Sequence, residues 1–223
     1  MKAMLLAAGR GERMRPITDA LPKALVEVGG RTLIAWHLAA LARAGVREVV
    51  INLSWLGAQL QAALGDGREF GVRIAWSEEG PVPLETGGGI FHALPLLGPD
   101  AFLVVNADIW TDIDFARLRL APAALAQLVL IPNPPHHPRG DFALRGDEVV
   151  EAADGRFTYS GVGVYRPEFF GGCSPGRFPL LPLLERAIKA GRLRGQLWRG
   201  AWCDVGTPER LEQLRAQLAT VQS

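Results

Sequence analysis

The chain has 223 residues, of which 48% are hydrophobic and 21% are charged, an ordinary composition for one soluble globular domain. Its 24 lysines and arginines nearly balance its 23 aspartates and glutamates, so the net charge of +1 indicates neither a nucleic-acid partner nor an anionic membrane surface. The apolar run near the N-terminus is too short for a signal peptide or a membrane span, and we expect a cytoplasmic protein.

Apolar runs of strand length alternate with helical segments through the first half of the chain. We predict strands at 3–8, 48–53, 72–76 and 101–106, and helices at 32–44, 55–64 and 86–97. The strands are continuously hydrophobic, which favours an α/β fold with a mostly parallel sheet and helices on both faces. Ligands in such sheets bind at the carboxyl ends of the strands.

The second half is less regular. A strand is predicted at 125–131, a proline-rich loop at 132–140, and several short strands within 142–165 that form a smaller sheet lid. Helices are predicted at 180–190 and 207–219, the second with Thr207 as its N-cap and Pro208 at its first position. The chain contains no repeat and no linker that would divide it, so one domain is expected.

The loop after the first strand, within LLAAGRGERMRPITDALPK at 5–23, lacks the third glycine of a dinucleotide fingerprint and the Gly-Lys-Ser/Thr of a P-loop. Gly9 and Gly11 nevertheless allow backbone N–H groups to approach an anion closely. Four cations, Arg10, Arg13, Arg15 and Lys23, lie within fourteen residues. The loop is therefore predicted to bind a triphosphate.

Two aspartates complement such a loop. Asp108 closes the strand that ends in NAD at 106–108, and Asp204 lies in CDVGTPER at 203–210. A nucleoside triphosphate brings Mg²⁺, which proteins hold through one or two carboxylates together with phosphate oxygens. Sequence spacing alone does not establish that these two aspartates act together.

The run LAAGRGERMRPITDALPKAL resembles the signature of the sugar-1-phosphate nucleotidyltransferases, a strand with L-A-A-G-x-G-x-R, a proline and P-K-x-L. Further segments follow in family order, namely LETGGGIFHAL, NAD, GDFAL, the glutamate of VVEAADG, YSGVGVY and WCDVGTPE. This resemblance spans nearly the whole chain. It implies one Rossmann-like domain over 1–223, with a nucleotide-binding part at about 1–110, a sugar-binding part at about 111–223 and no C-terminal left-handed β-helix.

The resemblance also implies roles for individual residues. It places Ala8, Gly9, Glu85 and Thr86 at the base and ribose, and Gly11, Arg15 and Lys23 at the triphosphate. It assigns Mg²⁺ to Asp108 and Asp204, and implies that Lys23, Arg15 and Asp108 act in catalysis. It places Asn106, Gly140, Glu151, Tyr159, Gly161 and Trp202 at the sugar phosphate.

The short chain with LETGGGI resembles the uridylyltransferases of bacterial peptidoglycan recycling, which implies UTP and N-acetylmuramate 1-phosphate as substrates. Other substrate pairs stay open, such as dTTP with glucose 1-phosphate, GTP with mannose 1-phosphate, or CTP with a choline phosphate. A non-catalytic subunit that binds a sugar nucleotide is a further alternative. A monomer or a small homo-oligomer is expected.

Two departures from the family pattern bear on specificity. Many relatives continue the sugar-side glutamate with lysine and proline, whereas this chain reads Glu151-Ala152-Ala153. Arg156, Arg194 and Arg139 are the candidates for the missing cation. Glu85 stands where many uridylyltransferases have glycine.

Two pairs of conspicuous residues carry no predicted chemistry. His136 and His137 lie in the proline-rich loop without the spaced partners of a metal site. Cys173 and Cys203 are isolated from each other and from histidine, and we expect both to be reduced and non-catalytic.

Overall fold

The computed structural model describes residues 1–221. Within them the α-helices are Ile17–Ala20 (α1), Leu33–Arg43 (α2), Gly57–Leu64 (α3), Glu85–Leu97 (α4), Leu181–Lys189 (α5) and Pro208–Val221 (α6). The strands are Ala3–Leu6 (β1), Glu27–Val28 (β2), Arg31–Thr32 (β3), Glu48–Leu53 (β4), Arg73–Glu78 (β5), Phe102–Asn106 (β6), Ile109–Thr111 (β7), Ala126–Ile131 (β8), Phe142–Arg145 (β9), Glu148–Val150 (β10), Arg156–Tyr165 (β11), Leu193–Leu197 (β12) and Trp202–Asp204 (β13). Short 3-10 helices include Glu12–Met14 and Lys23–Leu25.

Nine strands form one sheet in the order β5-β4-β1-β6-β11-β8-β12-β10-β9. The four strands of the first half, β5, β4, β1 and β6, are parallel to one another. Strand β11 pairs antiparallel with β6 and β8, which joins the two halves of the chain in a single sheet. The predicted α/β fold class is confirmed, and each strand and helix predicted in the first half forms within a few residues of its expected bounds.

The second half departs from the sequence prediction in how its strands are used. Those predicted within 142–165 form as β9, β10 and β11, and they continue the main sheet. Strand β12 was not predicted, because its sequence LRGQL has the polar composition of a loop. A Cβ at Gly195 would lie 2.7 Å from Leu144 and 2.8 Å from Val149, so glycine lets these side chains cover the strand. A separate two-stranded sheet pairs β7 with β13.

Strand β1 is buried on both faces, as its sequence predicts. Ala3 and Leu5 face the core that contains α2 and α3, whereas Met4 faces the core that contains α4 and α5. All three side chains are fully buried. Truncating a buried leucine such as Leu5 to alanine costs about 2–5 kcal/mol, because the cavity closes only partly. The two cores hold the end of β1, and the loop that follows it, in a fixed position.

The C-terminal helix α6 packs against the loop that follows β1. Leu211 and Leu214 of α6 pack with Met14, Val28 and Leu33 in a third buried cluster. Thr207 Oγ1 accepts from the N–H of Arg210, in keeping with its predicted role as N-cap. Because Met14 is fully buried in this cluster, it fixes the position of the polypeptide on either side of it. None of the described helices is both long and apolar enough to cross a membrane.

Candidate active site

A cavity of about 590 Å³ opens beside the carboxyl ends of β1, β4, β5 and β6. This is the edge at which α/β sheets bind ligands, and the volume suits a small-molecule site. Ten of the residues singled out from the sequence line it, namely Ala8, Gly9, Arg10, Gly11, Arg13, Lys23, Glu85, Thr86, Asn106 and Asp108. The fold thus brings the predicted nucleotide residues, apart from Arg15, together from separate segments of the chain.

The glycines of the opening loop serve two different purposes. Gly11 has φ +64°, and a Cβ there would lie 3.0 Å from Thr18 Cγ2 and 3.3 Å from Lys23 Cβ, so glycine permits both the turn and the close packing. Thr18 Oγ1 donates to the Gly11 carbonyl at 2.8 Å. Gly9 has no neighbour within 4 Å of an added Cβ, so its missing side chain leaves open space in the cavity wall.

Lys23 and Asp108 form an ion pair inside the cavity. Lys23 Nζ lies 2.5 Å from Asp108 Oδ2, and the exposed fractions of the two side chains are 11% and 41%. Lys23 starts a 3-10 helix directly after Pro22, which directs its side chain towards the end of β6. The least exposed cation of the loop is therefore adjacent to the predicted metal carboxylate.

The arginines of the loop separate into two groups. Arg10 and Arg13 line the cavity, and the Arg10 guanidinium lies 4.9 Å from the centre of the Trp55 ring. Arg15 is not among the lining residues, and its Nε lies 3.0 Å from Asp19 Oδ1 in an exposed ion pair. This difference has a local cause. Burial of Met14 fixes the 3-10 turn, so the side chains of Arg13 and Arg15 point in different directions. The family pattern L-A-A-G-x-G-x-R places its arginine at Arg13, and that spacing could have identified it.

A partly buried polar network, not foreseen from the sequence, joins the loop to α4. Asn52 Oδ1 accepts from the Ala7 N–H at 2.7 Å, and Asn52 Nδ2 donates to Glu79 Oε1. Glu79 Oε2 accepts from the Leu84 N–H at 2.7 Å, directly before α4 begins. Asn52 and Glu79 both line the cavity. Their position at the ends of β4 and β5 was the available signal, because polar residues there face the ligand edge.

The start of α4 is strained and tightly packed. Glu85 has φ +62°, a conformation that costs a residue other than glycine on the order of 1–3 kcal/mol and that is typical of functional sites. An added Cβ at Gly88 would lie 2.3 Å from the Gly176 carbonyl oxygen, and one at Gly89 would lie 2.5 Å from Glu79 Oε1. The glycines of LETGGGI therefore allow close contacts with neighbouring segments.

One of these contacts brings a further cation to the cavity. Two backbone hydrogen bonds join the segment before α5 to the start of α4. The Phe178 N–H donates to the Leu84 carbonyl, and the Gly88 N–H donates to the Phe178 carbonyl. Its Arg177 Nε lies 2.9 Å from Glu85 Oε1, and Arg177 lines the cavity. Nothing in the local sequence around Arg177 indicates this role, because it follows from the packing of two distant segments.

Asp204 lies beside Asp108 through the pairing of β13 with β7. Asp204 is opposite Ile109 in that pair, and the Val205 N–H donates to the Asp108 carbonyl at 2.9 Å. Arg210 Nη1 donates to Asp204 Oδ2 at 2.7 Å. Asp204 Oδ1 is buried and accepts no hydrogen bond. The structure thus brings the two predicted metal carboxylates close together, with Asp204 at the end of β13 and Asp108 in the turn before β7.

These residues fit a divalent cation that also binds phosphate. A buried carboxylate oxygen without a hydrogen bond, Asp204 Oδ1, retains its capacity to bind a cation. Among residues 1–221, no set of three or more His, Cys, Asp or Glu side chains is grouped as metal ligands. Asp108 and Asp204 would supply two carboxylates, and phosphate oxygens and water would complete the coordination shell, as is typical of Mg²⁺.

The predicted sugar-side residues lie outside the cavity wall, except for Asn106. Gly161 has φ +82°, and an added Cβ would lie 2.7 Å from Asn106 Nδ2, so these two residues are in close contact. Trp202 Nε1 donates to the Ser160 carbonyl at 2.9 Å, which brings β13 against the same part of β11. Asn106, Gly161 and Trp202 thus form one group next to the predicted metal carboxylates Asp108 and Asp204.

The remaining sugar-side predictions are more dispersed. The Tyr159 hydroxyl forms a hydrogen bond with the Tyr165 hydroxyl. Burial raises the pKa of Tyr159 to about 12. Its hydroxyl therefore has a partner inside the protein, and a sugar would contact other atoms of this residue. Gly140 has φ +59° and lies against Asn133, whereas Glu151 is exposed. The sugar roles of these residues stay predictions.

The two cysteines are free thiols. Burial raises the pKa of Cys203 to about 11, so its thiol is protonated at neutral pH.

Comparison with known proteins identifies the relatives of this chain. Residues 2–142 match the family model described as nucleotidyl transferase. The N-acetylmuramate alpha-1-phosphate uridylyltransferase of Neisseria meningitidis serogroup B is 52% identical, over 97% of each chain. The protein of the same name from Caulobacter vibrioides is 36% identical, over 97% of this chain and 96% of that one.

A solved structure supports the fold. A putative glucose-1-phosphate thymidylyltransferase from Bacillus anthracis, solved in complex with a sucrose, superposes with a TM-score of 0.85. The match covers 98% of this chain and 95% of that one, at 20% identity, and therefore concerns the fold alone.

Proposed function

The chain belongs to the nucleotidyl transferase family, and on that premise we propose that it transfers UMP from UTP to N-acetylmuramate α-1-phosphate. The products are UDP-N-acetylmuramate and pyrophosphate. A phosphate oxygen of the sugar 1-phosphate forms a bond to the α-phosphorus of UTP while the bond from that phosphorus to the bridging oxygen breaks. The attacking oxygen is already anionic, so the reaction needs no protein nucleophile.

The cavity supports the reaction class that the family indicates, and the substrates are proposed from the similarity. Positioning two anionic substrates for in-line attack can contribute up to ~7–11 kcal/mol to lowering the barrier. Lys23, Arg10 and Arg13 supply the positive charge that such substrates require, and the Gly9–Gly11 loop gives the triphosphate access to the backbone. The choice of uracil and of N-acetylmuramate rests on the 52% identity with the Neisseria uridylyltransferase.

Mg²⁺ is part of the proposal. Members of the family generally use a divalent metal. Asp108 and Asp204 would hold Mg²⁺ here, and the bound ion would neutralise charge on the phosphate oxygens. In the free enzyme the Asp108 carboxylate is balanced by Lys23, and the Asp204 carboxylate by Arg210. Arg13 replaces Arg15 in the proposed triphosphate site, because Arg13 lines the cavity and Arg15 does not.

The proposal extends to a role in peptidoglycan recycling in the cytoplasm, as a monomer or small homo-oligomer. The relatives from Neisseria and Caulobacter, both named for the muramate substrate, support the recycling role.

The test is a matrix of pyrophosphate release. Each nucleoside triphosphate is combined with N-acetylmuramate 1-phosphate, N-acetylglucosamine 1-phosphate, glucose 1-phosphate or mannose 1-phosphate, with and without Mg²⁺. We expect Mg²⁺-dependent release with UTP and the muramate ester. Release confined to another pair would contradict the assigned substrates. Absence of pyrophosphate release with every pair of substrates, combined with tight binding of a sugar nucleotide, would contradict the enzymatic activity.

A further inference from the structure

The proline-rich loop at 132–140 is firmly anchored to the sugar-side strands. Asn133 Nδ2 donates to the carbonyls of Pro138 and Arg156, and Asn133 Oδ1 accepts from Thr158 Oγ1. His137 Nε2 lies 2.9 Å from Asp141 Oδ1, while Asp141 Oδ2 accepts from the Tyr159 N–H. These bonds within and around the loop give it one defined position.

The anchored loop directs its other histidine at a predicted metal carboxylate. His136 Nε2 lies 3.0 Å from Asp204 Oδ1. The two groups are close but not aligned for a hydrogen bond, since Asp204 Oδ1 accepts none. The two adjacent histidines therefore have different roles: His137 anchors the loop, and His136 reaches across to β13.

His136 has unused capacity to donate. Among the hydrogen bonds of the described residues, none involves a ring nitrogen of His136, and its side chain is 41% exposed. A cation bound at Asp204 Oδ1 would satisfy that oxygen, and the imidazole N–H would then be free for another acceptor. The neutral imidazole suffices, because one of its nitrogens carries a hydrogen.

The surroundings of Asp204 indicate what that acceptor is. Trp202 lies two residues before Asp204 on β13, and its Nε1 donates a hydrogen bond to the Ser160 carbonyl. The next residue, Gly161, contacts Asn106. Asn106 lines the cavity of the nucleotide loop, whereas Gly161 and Trp202 lie outside it, so this group starts at the edge of that cavity and extends to β13. These three residues are the ones expected at the sugar phosphate, and the anion expected beside Asp204 is therefore the attacking phosphate.

The arginines considered as replacements for the absent lysine are less suitable. Arg156 Nε donates to the Ala152 carbonyl at 2.6 Å, on the exposed surface. Arg194 Nη1 donates to the Gly191 carbonyl, and its Nε lies 3.7 Å from Asp147 Oδ2. Arg139 is exposed and no contact brings it to Asp204. His136 is the loop residue that reaches the carboxylate.

We propose that His136 binds the phosphate of the sugar 1-phosphate and holds it beside Asp204 for attack. This inference rests on the proposed function, because it assigns a role within that reaction. It predicts an effect confined to one substrate. Loss of the imidazole weakens binding of the sugar 1-phosphate and leaves binding of UTP unchanged, because the nucleotide cavity is lined by other residues.

The experiment measures binding as well as turnover. Isothermal titration with N-acetylmuramate 1-phosphate is carried out in the presence of Mg²⁺ and a UTP analogue whose α,β bridge cannot be cleaved. We expect His136→Ala to raise the dissociation constant and the KM of the sugar 1-phosphate about 10- to 100-fold, the range for a hydrogen bond to a charged group. His136→Gln, which retains an N–H donor, should recover part of that loss. His92→Ala, at an exposed histidine of α4, is the matched control.

The outcomes separate this inference from the proposed function. Equal affinity of wild type and His136→Ala for the sugar 1-phosphate would overturn the role of His136 and leave the reaction standing. An equal loss of affinity for the UTP analogue would also overturn it, since His136 would then act through the metal or the fold. A wild-type enzyme that turned over no sugar 1-phosphate would contradict the proposed function itself. If His136→Ala proves unstable, His136→Leu, which also lacks an N–H donor on its side chain, takes its place, and the same outcomes decide the question.

Discussion

Lys23 Nζ lies 2.5 Å from Asp108 Oδ2, so the cation predicted to bind the triphosphate is held by the carboxylate predicted to bind the metal. Lys23 is 85 residues away from Asp108 in the chain, and the two meet because β1 and β6 are neighbours in the sheet. In the proposed reaction Lys23 would bind the triphosphate and Asp108 would bind Mg²⁺, so each charge of this ion pair would be balanced by a part of the substrate.

Lys23→Ala is expected to reduce kcat about 10²- to 10³-fold, the effect of removing one well-placed charge donor from an active site. Pyrophosphate release measures the loss, and a thermal melt checks that the protein is folded. Lys189→Ala, at an exposed lysine at the end of α5, is the control and should behave as wild type. Near-normal turnover by Lys23→Ala would contradict the assignment.

Arg13→Ala is expected to impair the enzyme more than Arg15→Ala. Arg13 lines the cavity, whereas Arg15 forms an exposed pair with Asp19, and such pairs contribute only ~0–1 kcal/mol to stability. The measurement is kcat/KM for UTP in both variants. The opposite order would show that Arg15 turns into the site when the triphosphate binds.

Gly88→Ala should destabilise the protein, although alanine normally favours a helix over glycine by ~0.5–1 kcal/mol. The added Cβ would lie 2.3 Å from the Gly176 carbonyl oxygen, a backbone atom that cannot move without the whole segment. Overpacking of this kind costs about 1–3 kcal/mol. Urea unfolding shows whether the substitution raises or lowers the free energy of unfolding. A stabilised variant would show that the segment before α5 is not held against α4.

His37 should make the stability of the protein sensitive to mild acid. Burial lowers the pKa of His37 to about 4, against the smaller raising effects of its bond to the Ile109 carbonyl and the charge of Asp108. Well above pH 6.5, the ordinary pKa of histidine, His37 is neutral in both the folded and the unfolded state. As the pH falls from 6.5 towards 4, only the unfolded state gains the proton, so stability declines by up to about 3 kcal/mol.

Urea unfolding at a series of pH values tests this expectation. His37→Gln keeps an N–H donor for the Ile109 carbonyl but cannot titrate, so its stability should fall less steeply over the same range. Subtracting the two curves removes the contribution of the carboxylates. Parallel curves for wild type and His37→Gln would mean that His37 does not cause the decline.

Much of the molecule follows from local sequence. The bounds of β4 were predicted to the residue, and α2 begins after Thr32, whose Oγ1 accepts from the Ala35 N–H. Continuous apolar runs and helical periodicity report burial directly, so the elements that contain them are predictable. Polar strand β12 carries no such signal, and only its neighbours in the sheet make it a strand.

The sequence by itself determined the α/β class, the glycine loop after β1 and the identity of Lys23, Asp108 and Asp204 as candidates, because each depends on residues close together in the chain. Only the tertiary structure decided which side chains lie together. It placed Arg13 but not Arg15 in the cavity wall, brought Arg177 to the same cavity and placed His136 against Asp204. These contacts depend on the order of strands in the sheet and on how segments far apart in the chain pack, which local periodicity does not encode.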